Sequence, residues 1–98
     1  MDVRFEDGSL ARLETDARFT ANHSRAIVRS YRRVITYVRA AGDERDLRAW
    51  PGLRFKRLEG DRADQYSMRL NDQFRLIVRL ESAPAAKVVV IIAIEDYH

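Results

Sequence analysis

Two runs of alternating side chains, separated by a tight polar turn, commit the second half of this chain to an antiparallel sheet. In residues 65–70, Tyr66, Met68 and Leu70 point one way and Ser67 and Arg69 the other. Beyond Asn71-Asp72, Phe74, Leu76, Val78 and Leu80 alternate with Arg75, Ile77 and Arg79. Period two marks a strand with one buried face, because successive Cβ atoms leave opposite sides of the pleat. Residues 88–94 are an unbroken apolar run, which suits a central strand covered on both faces. Residues 53–58 are predicted as a further strand, closed by the turn Gly60-Asp61-Arg62, in which Asp61 and Arg62 read as a local ion pair. Residues 3–5 make a short first strand, and residues 82–85 a loop.

The first half is helical. Asp7-Gly8-Ser9 is a turn whose serine caps a short helix over residues 10–18. Asn22 or Ser24 caps the long helix, in which Ile27, Val28, Tyr31, Val34, Ile35 and Val38 form one apolar face. Arg25, Arg29, Arg32, Arg33 and Arg39 fall on the opposite face. Gly42 ends this helix, and Asp46 starts a single turn before Pro51-Gly52. Trp50 reads as the packing anchor of that loop, and His23 as a capping or solvated residue. Helices followed by a meander predict one α+β domain over residues 1–98, with two N-terminal helices packed on one face of a mainly antiparallel sheet.

Composition narrows the chemistry. The chain has no cysteine, so disulfides, thiolate nucleophiles and cysteine-ligated zinc are excluded. With His23 and His98 as the only histidines, neither a metal nor a cofactor is expected. The apolar run is too short to cross a bilayer, and the charged N-terminus lacks the apolar core of a signal peptide. A small cytoplasmic protein with no membrane partner is the expectation. Of 18 basic residues only Lys56 and Lys87 are lysine, leaving the rest as arginine, whose planar fork grips phosphate at two points. Residues 20–41 hold arginines and no acid.

If the apolar face of the hairpin packs on the helix, its reverse carries Arg69, Arg75 and Arg79. Arg54 and Lys56 join them, depending on the register of the preceding strand. Several cations with few acids make that sheet face a candidate anion-binding surface. The chain ends Glu95-Asp96-Tyr97-His98, directly after its most apolar strand. A carboxylate, a phenol and an imidazole in succession offer proton transfer near neutral pH.

The blocks Leu58-Glu59-Gly60-Asp61-Arg62, Gln65-Tyr66-Ser67-Met68-Arg69-Leu70-Asn71-Asp72-Gln73-Phe74-Arg75-Leu76 and Asp96-Tyr97-His98 resemble the HigB toxins of the RelE/ParE superfamily of type II toxin–antitoxin systems. Segment order and length agree over nearly the whole chain. The resemblance implies a RelE-like, microbial-ribonuclease-like fold, with its helices on a curved sheet. It implies an mRNA endonuclease that cleaves messages in the ribosomal A site and inhibits translation. The implied partners are the ribosome, mRNA and a cognate HigA-type helix-turn-helix antitoxin, with which the chain forms a hetero-oligomer. In that light His98 is the candidate general acid or base, Asp96 its orienting carboxylate, and Tyr97 a stacking or phosphate-holding group. Arg75 is the candidate for the scissile phosphate, and Lys56 for charge stabilisation or proton transfer. Arg69, Arg79, Arg54, Arg25, Arg29 and Arg32 are candidate RNA contacts, although the helical stripe reads equally as a solvated face. The chain departs from the family at Glu59, where lysine is common, at Phe74, where tryptophan is frequent, and at Lys56, where some members carry histidine. Asp64 stands where a glycine often follows the turn. A ParE-like gyrase binder, or an inactive relic that binds only antitoxin, is the competing reading.

Overall fold

The computed structural model describes residues 1–84 and 87–96. Strand β1 (Asp2–Phe5) leads to helix α1 (Gly8–Thr15), the long α2 (Arg25–Ala40) and the short α3 (Glu44–Ala49). Strands β2 (Lys56–Arg57), β3 (Gln65–Arg69), β4 (Phe74–Ser82) and β5 (Lys87–Asp96) follow. They form one five-stranded sheet of order β1-β5-β4-β3-β2, antiparallel except for β1, which runs parallel to β5. Among the described residues no helix is long and apolar enough to cross a membrane.

The long helix forms where its apolar periodicity predicts. Ser24 caps it, accepting from the Ile27 amide at 3.2 Å. Ile27, Val28, Tyr31, Val34, Ile35 and Val38 are all buried against the sheet face of Met68, Leu76, Val78, Val89 and Ile91. The shorter helix starts earlier than expected, because Asp7 and not Ser9 supplies the cap, accepting from the Ser9 amide at 2.7 Å. Its C-terminal carbonyls are met by α2, whose Arg32 donates to the oxygens of Leu13 at 3.0 Å and Asp16 at 2.8 Å. A guanidinium there also complements the negative end of the helix dipole.

Three expectations change. The strand predicted over residues 53–58 shrinks to Lys56–Arg57, because Pro51–Leu53 winds into a 3₁₀ turn and Arg54 takes a left-handed φ of 48°. The single turn expected from Asp46 is α3, capped one residue before Glu44 by Asp43. His23 caps nothing, and its ring meets the edge of Phe74 at 5.9 Å. Trp50 does pack as expected, tilted against Tyr37 at 4.7 Å.

A bulge interrupts the β4–β5 ladder. The register steps from Ile77↔Ala93 to Val78↔Ile91, which leaves Ile92 as an extra residue on β5. Val89 and Ile91 face the helices, and so does Ile94 beyond the bulge, beside Leu76. Ala93 and Glu95 therefore face the other way, beside Ile77 and Arg75.

Tyr31 ties the helical layer together. It is fully buried and its hydroxyl donates to the Leu10 carbonyl at 2.8 Å. Tyr31→Phe removes that donor and is expected to cost about 1–2 kcal/mol at pH 7 in urea unfolding. Burial, and secondly the Glu14 carboxylate, pushes the Tyr31 phenol well above its ordinary value. The unfolded phenol ionises as pH passes about 10 while the folded one stays protonated, so this stabilisation is complete below that pH and is lost above it. Wild type and Tyr31→Phe are expected to converge in stability between about pH 9 and 11.

Candidate functional site on the open face of the sheet

The helices cover one face of the sheet, and the other carries the predicted cations. Register arranges them in rows across the strands. Lys56, Ser67, Ile77 and Ala93 form one row; Arg69, Arg75 and Glu95 form the next towards the β3–β4 turn. On the other side of the Ser67 row lie Gln65, Arg79, Val90 and Arg4. Lys56, Arg69, Arg75 and Arg79 thus share the face that alternation assigned to them. Arg54 does not, because the turn that shortens β2 leaves it outside the ladder.

The tight turn holds Arg75 in place. Asn71 accepts from the amides of Gln73 at 2.8 Å and Phe74 at 2.7 Å, and its carbonyl receives Arg75 Nη1 at 2.8 Å. Arg69 pairs with Asp72, whose side chain is 98% exposed, so that pairing is screened by water. Lys56 is exposed at the end of the neighbouring row.

The face is less cationic than its arginines suggest. Arg79 donates to Glu81 at 2.8 Å and to Glu6 at 3.1 Å, and Arg4 also pairs with Glu81. Hydrogen bonds donated by Arg79 hold the Glu81 carboxyl below its ordinary range, and their acceptance by Glu81 and then by Glu6 raises the Arg79 guanidinium. Arg79 is therefore a structural cation. With Arg4 it flanks Val90, which is 3% exposed on a face that no helix covers.

Arg62 forms no turn pair with Asp61. Its Nη atoms reach the Glu95 carboxylate at 3.0 and 2.8 Å, and its Nε donates to Gln65 at 3.1 Å. Glu95, Arg62 and Ser67 are parts of this face that residue chemistry alone did not single out. The alternation already placed Ser67 beside Arg69, but no local signal links Arg62 to Glu95.

Of the tail, Asp96 stands opposite Phe74 and not Arg75, and accepts from Gln73 at 3.1 Å. Tyr97 and His98 lie outside the described residues. No cluster of carboxylate and imidazole groups able to hold a metal ion occurs among the described residues.

The helical stripe divides. Arg39 pairs with Glu14 at 2.7 Å, and Arg32 serves α1. Arg25 and Arg29, with Arg18 and Arg32, line a cleft of about 500 Å³ whose lining includes Val28 and Thr20 and no acid. Its entry loop holds Ala21 and Asn22 at φ of 50° and 66°. The His23–Phe74 contact sets the start of α2 at the same end of the molecule as the β3–β4 turn and Asp96.

Comparison with known proteins accords with this architecture. The family model described as the RelE-like toxin of type II toxin–antitoxin system HigB matches residues 3–98. No curated protein matches. Among solved structures, the chain is similar to a YoeB/ParE toxin from Agrobacterium tumefaciens, with 17% identity over 100% of both chains and a TM-score of 0.57. It is similar to a chain of the YoeB–YefM complex from Staphylococcus aureus, with 14% identity over 100% of this chain and 97% of that one, at a TM-score of 0.63. A chain of the RelBE2 toxin–antitoxin complex from Mycobacterium tuberculosis matches at 21% identity over 98% and 96%, with a TM-score of 0.56. These structures share the fold of helices on an open sheet, and with the family match over nearly its full length the chain belongs to the RelE-like, HigB-type toxins of type II toxin–antitoxin systems.

Proposed function

We propose that this toxin is a ribosome-dependent, metal-independent mRNA endonuclease acting in the cytoplasm. The observation that carries the reading is the row of Arg69 and Arg75 beside Lys56, at the end of β5 where residues 97–98 continue the chain. Cleavage without metal proceeds by attack of a 2′-oxygen on the adjacent phosphorus, with departure of the 5′-oxygen. The attacking hydroxyl needs a base, the phosphorane needs cations, and the leaving oxygen needs a proton. Arg75, fixed by the Asn71 carbonyl, holds the phosphate, and Arg69 and Lys56 stabilise the charge that builds on it. His98 moves the proton, oriented by Asp96, while Tyr97 stacks on a base or holds the phosphate. The cleft of Arg18, Arg25 and Arg29 binds ribosomal RNA at the same end of the molecule. A helix-turn-helix antitoxin of the HigA type is the partner that holds the toxin inactive. Membership of the toxin family and the toxin–antitoxin complexes among the similar structures support this partner.

Primer extension on a defined message, with and without translating ribosomes, tests the reading. Wild type is expected to cut only with ribosomes, and deletion of His98 or Arg75→Ala to reduce cleavage by about a hundredfold or more with the fold and antitoxin binding intact. Cuts on naked RNA would remove the ribosome dependence. Intact messages in every condition would instead favour the gyrase-binding or relic reading, which a supercoiling assay separates. The double variant Arg25→Ala/Arg29→Ala is expected to weaken ribosome binding and flatten its log–log salt dependence by about 1–2. An unchanged slope would return these arginines to the status of a solvated face.

A further inference from the structure

Ser67 lies on the face that no helix covers, yet it is 1% exposed, and its neighbour Ile77 is 3% exposed. The Ser67 hydroxyl has no hydrogen-bond partner among the described residues. A buried polar atom without a partner is uncommon and calls for a physical reason. Arg62 bridges across the Ser67 row. It joins Gln65, in the row on one side of Ser67, to Glu95, in the row on the other side and two strands away. A guanidinium spanning those positions crosses the row of Ser67, Ile77 and Ala93.

We infer that Arg62 is a latch over a phosphodiester-binding subsite, and that RNA opens it by exchanging phosphate oxygens for the Glu95 carboxylate, so that Arg62 and the uncovered Ser67 hydroxyl bind one phosphate. This rests on the open face being the RNA-binding face. Phosphate and carboxylate present the same two-point acceptor to a guanidinium, so the exchange loses no bonding pattern. The Arg62 and Glu95 side chains are 43% and 41% exposed, which keeps their pairing weak and open to competition. Glu95 is also the cross-strand neighbour of Arg75, so a phosphate arriving at Arg75 meets Glu95 as a like charge and displaces it from the row. Ser67 is preorganised for this role because no group among the described residues competes for its proton.

The test measures binding of a 2′-O-methyl RNA dodecamer, which cannot be cut, to the purified free toxin at fixed ionic strength by fluorescence anisotropy. Glu95→Gln is expected to tighten binding about threefold to tenfold beyond Asp61→Asn, which makes the same charge change at the neighbouring exposed turn. That excess is expected to fall in an Arg62→Ala background to the part due to like-charge relief at Arg75. Ser67→Ala is expected to weaken binding about threefold to tenfold while its urea midpoint stays level or rises, since it deletes an unsatisfied hydroxyl. Equal effects of Glu95→Gln and Asp61→Asn, or a folded Ser67→Ala with unchanged affinity, would overturn the latch. Wild-type cleavage on ribosomes beside either of those results would leave the nuclease reading standing. Latch behaviour in a toxin that cuts nothing would refute the nuclease alone.

Discussion

Strand β5 is hydrogen-bonded along both edges, to β1 on one side and β4 on the other, and the first of these pairings puts Asp2 in register with Val88. Joining positions so distant in the chain carries a large loop-closure entropy, which local contacts do not repay. The repayment comes from burial: Val3 and Phe5 pack against a core that Val89, Ile91 and the apolar face of α2 already form. Once β5 is fixed centrally, β4 fixes β3 by the tight Asn71 turn, and the placement of Arg69, Arg75 and Glu95 in one row follows from register alone.

Elements written in local periodicity were legible before any coordinates. The long helix has six apolar positions on one face and a serine cap, and β3 and β4 alternate except at the apolar Ile77 on the arginine face. The parallel β1–β5 pairing was not legible, because nothing in residues 3–5 names a partner so far away. The segment ahead of β2 misled for a different reason. Leu53 and Phe55 are both buried and spaced like strand residues, but a 3₁₀ turn and a left-handed Arg54 bring them inward instead. Apolar spacing over so few residues does not separate the two conformations.

The site shows the same division. Arg69 and Arg75 were readable from alternation, and so was the face they share. The neutralisation of Arg79 was partly readable, since continuing the alternation past Leu80 sets Glu81 on that face. Glu6 follows the end of β1 and Glu95 lies on β5, and their effect on the field needed the three-dimensional register. Counting cations on a predicted face therefore overstates its charge. The face has a paired, structural part around Arg79 and a part around Arg75 and Arg69, in which the Arg69–Asp72 pairing is screened by water. A toxin of this architecture gains from that arrangement, because an unpaired arginine field would bind nucleic acid indiscriminately.

The extra residue at Ile92 gives the aliphatic run a second kind of information. Any of these side chains is chemically replaceable by another, so the stretch looks tolerant. Its residue count is not. Flattening the bulge at the present count would set Ile94 opposite Arg75 and turn Glu95 towards the helices, opposite Phe74, whereas a run one residue shorter would keep Glu95 beside Arg75 with no bulge at all. The number of aliphatic residues and the bulge together select which side chain meets the arginine row. Length variation in this strand among related chains, where no gain or loss of a bulge matches it, would thus exchange the acid at the site while leaving hydrophobicity, charge and motif spelling untouched.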